Sequence, residues 1–154
     1  MKYSEFLHIA GIINEELLVI PLLFGSLGLE RRLKRSLNAD DIDVLISERF
    51  LKTDWDKLKH LMENEGYLLV DEEEHEFRKD DICIAFADIE GLMPFAGIDI
   101  SRIPEVADHG VRYLLLELPD YLKVYEASLK DSYRKDVKNK QDQSKIDLIK
   151  EEIM

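Results

Sequence analysis

The sequence has a single cysteine and no long hydrophobic run, and these shortages exclude several classes of protein. Cys83 is the single cysteine among 154 residues, which excludes an internal disulfide and gives no zinc-ligand spacing, so we expect a reducing compartment. The longest uncharged run, Leu17 to Leu29, is too short to cross a bilayer. Acidic residues also interrupt the first apolar stretch, unlike in a secretory signal. We therefore expect a cytoplasmic protein with no membrane partner.

Basic residues are scarce relative to acidic ones. The chain has 21 Lys and Arg against 33 Asp and Glu, for a net charge of −12. Such a surface repels nucleic acid over most of its area, so we expect no binding of double-stranded DNA. An anionic ligand would need a local basic patch, or cations that bridge acid and phosphate. The remaining composition, with 45% hydrophobic and 35% charged residues, is typical of a folded globular protein.

The order of the predicted elements indicates the fold class. We find no internal repeat, low-complexity linker or change in composition, so the sequence predicts a single domain over residues 1–154, with a helical C-terminal part from about 117 to 154. Hydrophobic periodicity predicts helices up to residue 17, at 29–37, at 53–66 and after 119. It predicts strands at 18–24, 42–46, 67–70, 76–78 and 82–86. Strands separated by helices predict an α/β (α+β) protein, a mixed sheet flanked by helices.

Two acidic residues at the second predicted strand are the first chemical signal. Residues two apart on a strand point to the same face, so Asp41 and Asp43 project side by side. Two adjacent carboxylates repel each other unless a cation lies between them. Magnesium is commonly shared between carboxylates and substrate phosphates, and the pair therefore indicates a metal site. A strand end with two solvated acids is the alternative interpretation.

A glycine and a serine follow the first predicted strand. Gly25 frees the backbone to approach a phosphate, and Ser26 offers a hydroxyl close to a helix N-terminus. A tight strand-to-helix turn is the alternative interpretation. Together, the two motifs describe neighbouring strand ends, one with phosphate donors and the other with metal ligands, which is a rare combination by chance.

The combination resembles the signature of the nucleotidyltransferase superfamily, which is an apolar strand, Gly-Ser, a helix, and a strand bearing Asp-x-Asp. Gly25-Ser26 and Asp41-Ile42-Asp43 match it residue for residue. The segment from Tyr133 to Asp142 is also similar to the basic-then-acidic C-terminal helices of small bacterial members, toxin-like ones among them. The resemblance implies a nucleotidyltransferase-like mixed sheet with C-terminal helices. It covers the first half of the chain in detail and the remainder in outline.

The resemblance also implies a reaction and its cofactors. In that superfamily two metal ions, magnesium or manganese, are held by the paired aspartates and a third carboxylate, and a nucleoside monophosphate moves from a nucleoside triphosphate to a hydroxyl group. For this chain it implies that Asp41 and Asp43 are catalytic metal ligands and that Gly25 and Ser26 cradle the triphosphate. The acceptor stays open among RNA, protein and a small molecule.

The third carboxylate is the point at which the sequence departs from that pattern. The strand predicted at 82–86 contains no acid. We take Asp88, which follows it, as the third metal ligand, and keep Asp81, Glu76 and Glu74 as alternatives because alternation does not say which face meets the pair. The second hypothesis is a catalytically silent relative that binds a nucleotide or a protein partner. The third is an acidic interaction module in which both motifs are accidental.

Basic residues cluster one helical turn beyond the Gly-Ser motif. Arg31 and Arg32 are predicted to bind the triphosphate, and Lys34 and Arg35 complete the cluster. A solvated helix face is the alternative interpretation of this run. The lysines from 135 to 145 alternate with aspartates and predict an exposed, salt-bridged helix.

Overall fold

The structure is a computed structural model that describes residues 2–130 and 136–153, with side chains described for 2–130 and 141–153. Its strands are β1 (Leu22–Phe24), β2 (Ile42–Ile46), β3 (Leu68–Asp71), β4 (Glu76–Lys79), β5 (Ile82–Asp88), β6 (Glu105–Asp108) and β7 (Val111–Leu115). Its α-helices are α1 (Lys2–Ile12), α2 (Gly25–Leu33), α3 (Trp55–Asn64), α4 (Leu92–Ala96), α5 (Leu118–Leu129) and α6 (Asp136–Ile153).

The described strands form one mixed sheet in the order β3-β4-β5-β2-β1-β7-β6. Strand β2 lies at its centre, antiparallel to β1 and parallel to β5, while β1 is parallel to β7. A parallel pair needs a crossover connection, which α3 and the β3–β4 hairpin provide between β2 and β5. The predicted fold class, a mixed sheet flanked by helices with helices at the C-terminal end, is confirmed.

Alternation along β2 separates the hydrophobic core from the acidic site. Ile42 and Val44 are at most 1% exposed and face the side of the sheet where Trp55 of α3 packs against Phe77 of β4, with ring centroids 5.7 Å apart. Asp43 lies between them in sequence and therefore faces the opposite side. Helices α5 and α6 contribute residues to cavities on that side. The same strand thus packs the core with one face and presents a carboxylate with the other.

Three element boundaries near the Gly-Ser motif differ from the sequence-based expectations. Strand β1 begins four residues later than predicted, at Leu22, because the chain continues α1 as a π-helical turn and then adopts a left-handed conformation at Leu18 (φ 58°). Helix α2 begins earlier than predicted, at Gly25 itself. It also ends earlier, since Lys34 takes a left-handed conformation (φ 57°) and its N–H donates to the Glu30 carbonyl.

The C-terminal half contains strands that the sequence patterns did not predict. Strands β6 and β7 form a hairpin in and after the turn-rich segment, and β7 extends the sheet beside β1. Helix α6 extends over 18 residues and lies within the predicted helical C-terminal part. Residues Tyr133 to Lys135, at the start of the C-terminal resemblance, lie outside the described residues. No helix among the residues described is both long enough and apolar enough to span a membrane.

Candidate active site

Gly25 and Asp43 meet because β1 and β2 are antiparallel neighbours whose register pairs Phe24 with Asp43. Gly25 has a left-handed conformation (φ +62°), which glycine adopts without the steric cost that other residues incur. A Cβ atom at this position would also clash with the Asp43 carboxylate. Glycine is therefore required twice, for its dihedral angle and for its lack of a side chain, and the two predicted motifs lie directly against each other.

A cavity of about 720 Å³ opens beside this contact and has residues from both motifs in its wall. Ser26 lies there in the first turn of α2, and no side chain caps the N-terminus of that helix. The first N–H groups of an α-helix have no intrahelical partner and favour an anion. Asp41 and Asp43 line the same cavity. The cavity thus places groups suited to phosphate next to groups suited to a cation.

A smaller cavity of about 260 Å³ adjoins the first, and four aromatic side chains contribute to its lining. The two cavities share Ser26, Asp43 and Lys145. The aromatic residues that line the smaller one are Phe24, Phe95, Tyr121 and Tyr125. The hydroxyl of Tyr121 donates to the carbonyl of Gly25 at 3.2 Å, which ties α5 to the turn.

The two aspartates are electrostatically unfavourable as charged groups. Burial raises the pKa of Asp43, the Asp41 carboxylate raises it further, and the ammonium group of Lys145 opposes the shift. Burial also raises the pKa of Asp41, and Glu76 adds to that shift while Lys2 opposes it. Excess negative charge is thus concentrated at the pair, and a cation placed there would relieve it.

Glu76 is the acid that strand register brings toward this pair. Asp43 on β2 is level with Ala85 on β5, which is level with Glu76 on β4, so the three side chains leave the same face of the sheet. Alanine therefore occupies the position on β5 next to Asp43. Burial, followed by contact with Glu76, raises the pKa of the neighbouring Cys83 thiol to about 12. Cys83 is buried, and the Glu76 carboxylate lies beside its thiol.

Asp88, expected as the third metal ligand, is not brought to the aspartate pair. It is level with Ile46, three residues beyond Asp43 along β2, which places it about 10 Å away and on the opposite face. Its carboxylate accepts from the N–H of Glu90 at 2.8 Å instead. The alternatives Asp81 and Glu74 are both exposed outside the strands. Strand register is the physical reason, because it puts Asp88 on the opposite face of the sheet and leaves Glu76, among the alternatives, on the face of Asp43.

A metal ion at this site would need ligands from outside the protein. Among the residues whose side chains are described, no three His, Cys, Asp or Glu side chains form a group that could hold a metal. Magnesium, however, is usually bound through one or two carboxylates together with substrate phosphates and water. The Asp41–Asp43 pair, with Gly25 leaving space beside it, fits that mode of binding.

The two arginines expected to bind a triphosphate have other contacts. Arg32 donates to the carbonyls of Leu116 at 2.8 Å and Leu115 at 2.9 Å, so it joins α2 to the end of β7. Arg31 stacks over the ring of Tyr3, 3.8 Å from its centroid. Neither arginine lines the two cavities around Ser26. The structure therefore does not bring them to the Gly-Ser turn.

The structure places Lys145 at the site, whereas its sequence context predicts only an exposed, salt-bridged helix. It lies on α6 and borders both cavities, and its positive charge partly opposes the rise in the pKa of Asp43. About a hundred residues separate it from either motif, so no local spacing links them. Only the packing of α6 over the sheet could have identified it.

The fold is of the nucleotidyltransferase-like class. A solved structure of ANT(2″)-Ia, in complex with adenylyl-2″-tobramycin, matches with a TM-score of 0.59, covering 100% of this chain and 91% of that one. At 13% sequence identity, the likeness concerns the fold alone. The chain belongs to the family of the Bacillus subtilis (strain 168) protein named "Uncharacterized protein YnaI". The two are 48% identical over 147 residues, which are 96% of this chain and 94% of YnaI. No family model matches the sequence.

Proposed function

We propose that this chain is a magnesium-dependent nucleotidyltransferase that moves a nucleoside monophosphate from a nucleoside triphosphate to a hydroxyl group. The observation on which the proposal depends is the close approach of Gly25 to the Asp43 carboxylate. It joins a turn suited to phosphate to a pair of acids suited to a cation. The fold shared with ANT(2″)-Ia, a nucleotidyltransferase, supports the proposal at the level of architecture.

In this proposal the residues around the larger cavity divide between metal and triphosphate. Asp41 and Asp43 hold magnesium, which would polarise the α-phosphate and neutralise the leaving pyrophosphate when bound. The backbone at Gly25 and the hydroxyl of Ser26 donate to the triphosphate, and Lys145 balances part of its charge. The negative charge concentrated at the two aspartates supports this division. A bound cation would reduce the electrostatic repulsion between the two carboxylates and between the carboxylates and the phosphates.

Glu76 is the general base of the proposed transfer. The acceptor oxygen attacks the α-phosphorus, the bond from that phosphorus to the bridging oxygen of the β-phosphate breaks, and pyrophosphate leaves. The hydroxyl proton passes to a carboxylate oxygen of Glu76. Glu76 leaves the sheet two strand spacings from Asp43, about 9–10 Å at the backbone. Its effect on the pKa of both Asp41 and Asp43 supports this placement, with only Ala85 between them.

A second candidate function is a catalytically silent protein that binds a nucleotide through the same cavity. The specific observation in its favour is Ala85, because β5 has no carboxylate at the position level with Asp43. In that case the aspartates and Lys145 would bind a magnesium nucleotide without turnover, and Glu76 would be a structural neighbour of Cys83.

Calorimetric titration with ATP, CTP, GTP and UTP in the presence of magnesium tests the binding step. We expect at least one nucleotide to bind, and expect Asp43→Asn to weaken its affinity by about tenfold or more, the equivalent of about 1.4 kcal/mol. The absence of binding to all four nucleotides, or undiminished nucleotide binding by Asp43→Asn, would overturn the proposal.

Pyrophosphate release in the presence of total RNA, total protein or small hydroxyl compounds separates transfer from silent binding. We expect Glu76→Gln to lose release while it retains nucleotide affinity, since a general base contributes about 10²–10⁴-fold to rate. Glu74→Gln is the matched control, because Glu74 is an exposed acid just before β4. Nucleotide binding without pyrophosphate release in the presence of any acceptor would favour the catalytically silent protein. Pyrophosphate release that Glu76→Gln leaves unchanged would indicate that another residue is the base.

A further inference from the structure

A third cavity of about 770 Å³, the basic cleft, lies between the start of α1 and α2. Its charged lining residues are Lys2, Arg31, Lys34, Arg35 and Glu30. The cleft therefore contains four of the chain's 21 basic residues and one of its 33 acidic residues. In a protein with a net charge of −12, this local reversal of sign is a departure from the rest of the surface.

The cations of the basic cleft are only partly balanced by nearby acids, since Arg31 lies near Asp108 and Lys2 near Asp41. Within the part of the chain whose side chains are described, none of the ion pairs involves Lys2, Arg31, Lys34 or Arg35. Glu30, the acid of the cleft, accepts from the N–H of Leu37 at 3.1 Å. Like charges held close together, with few acids beside them, favour an anionic ligand.

Arg31 is held in place within the cleft. Its guanidinium lies over the ring of Tyr3, and the Tyr3 hydroxyl donates to Asp108 at 2.5 Å and contacts the hydroxyl of Tyr113 at 2.8 Å. A stacked guanidinium keeps its N–H groups directed outward in a fixed plane, the geometry that recognises phosphate. One cation of the cleft is therefore ordered before any ligand binds.

The basic cleft adjoins the proposed active site. Asn38 and Ala39 line both the cleft and the cavity that contains the aspartate pair. Lys2 of the cleft is within electrostatic reach of Asp41. The cleft contains neither the Gly-Ser turn nor Lys145, so it lies beside the proposed triphosphate position without overlapping it.

We propose that the basic cleft holds the acceptor, and that the acceptor bears phosphate groups. This inference depends on the proposed nucleotidyl transfer. Phosphates bound by Lys2, Arg31, Lys34 and Arg35 would present a neighbouring hydroxyl across the wall formed by Asn38 and Ala39. The end of a single RNA strand and a phosphorylated sugar share this chemistry.

Direct binding to two probes tests the inference and distinguishes the two sources. A fluorescein-labelled single-stranded RNA oligonucleotide is followed by anisotropy, and a hexose 6-phosphate by calorimetry. The test variant combines Lys34→Ala with Arg35→Ala, both exposed residues of the cleft. The matched control combines Lys123→Ala with Arg102→Ala, which removes the same two charges from exposed positions outside the cleft.

We expect wild-type protein to bind one of the probes, and expect the cleft variant to weaken that binding by about tenfold or more. For RNA, the slope of log affinity against log salt should fall in magnitude by about 1.4, from about 0.7 per lost phosphate contact. The control variant should bind as wild type does. Affinity for the magnesium nucleotide should be equal in all three proteins.

Three results would overturn the inference. They are wild-type protein that binds neither probe, equal losses in the cleft and control variants, and a cleft variant that also loses magnesium nucleotide, which would make the cleft part of the triphosphate site. Nucleotide binding without probe binding would refute the inference that the cleft binds a phosphorylated acceptor, but it would not contradict the proposed function. Probe binding without nucleotide binding would refute the proposed function, and with it the acceptor role.

Discussion

Replacing Gly25 with alanine tests the contact on which the proposed site depends. A non-glycine residue in the left-handed conformation (φ +62°) costs about 1–2 kcal/mol. The new Cβ atom would also meet the Asp43 carboxylate, and overpacking of this kind costs about 1–3 kcal/mol. We therefore expect the variant to lose about 2–5 kcal/mol of unfolding free energy.

Gly97 provides a matched control for the dihedral angle alone. It has φ +70°, and nothing lies within 4 Å of a Cβ atom added there. Gly97→Ala should therefore lose about 1–2 kcal/mol. The difference between the two variants, about 1–3 kcal/mol, isolates the contact with Asp43.

Urea unfolding measures the free energies, and calorimetry with magnesium and nucleotide measures the functional consequence. In a chain of this size each kcal/mol corresponds to about 2–4 °C in Tm, so thermal unfolding gives an independent check. We expect Gly25→Ala to lose nucleotide affinity because the displaced carboxylate no longer faces the turn, and Gly97→Ala to retain it. Equal unfolding free energies for the two variants, with nucleotide affinity intact in both, would refute the reasoning.

Two further predictions concern Asp43 and Arg32. Because the pKa of Asp43 is raised in the folded protein, its contribution to stability is full at pH values below the unfolded-state pKa and is lost as pH rises through the folded-state pKa. In EDTA, Asp43→Asn should therefore have a higher Tm than wild type at neutral pH. The Tm of the variant should also fall less than that of wild type between acidic and neutral pH, and a lower Tm for the variant at neutral pH would contradict this. Arg32→Ala removes two charged hydrogen bonds to the carbonyls of Leu115 and Leu116 and should cost about 1.5–3 kcal/mol in urea unfolding, with nucleotide affinity of the folded protein unchanged. Arg35→Ala is its exposed control, and a loss of nucleotide affinity in Arg32→Ala at unchanged stability would restore the arginine to a binding role.

Local patterns predicted the elements whose residues determine their own conformation. The Ile42–Ile46 strand matched in both bounds because a short, mostly β-branched run lies there between acidic and polar flanks. The β4–β5 hairpin was also predicted by alternation around a polar turn. The β6–β7 hairpin was not, because its segment is rich in turn residues and β7 depends on pairing with β1, about ninety residues earlier in the chain.

The roles of individual site residues divide in the same way. Gly25, Ser26, Asp41 and Asp43 were proposed from two short motifs, and the structure brings the motifs together across one strand pair. Their role in metal and phosphate binding stays a prediction, as does the single-domain organisation. Asp88 was selected for its nearness in sequence to the end of β5, and it lies on the wrong face because three residues is an odd number of steps along a strand.

By itself, the sequence determined the bend at Gly25, the closeness of Asp41 to Asp43 at the start of β2, and the alternation that buries Ile42 and Val44. Each of these follows from interactions between residues near one another in the chain. The tertiary structure alone decided that Glu76 faces the pair, that Lys145 completes the cavity, that Arg32 joins α2 to β7, and that four cations form a cleft beside the acids. These depend on register and helix packing between distant segments, which local periodicity does not encode.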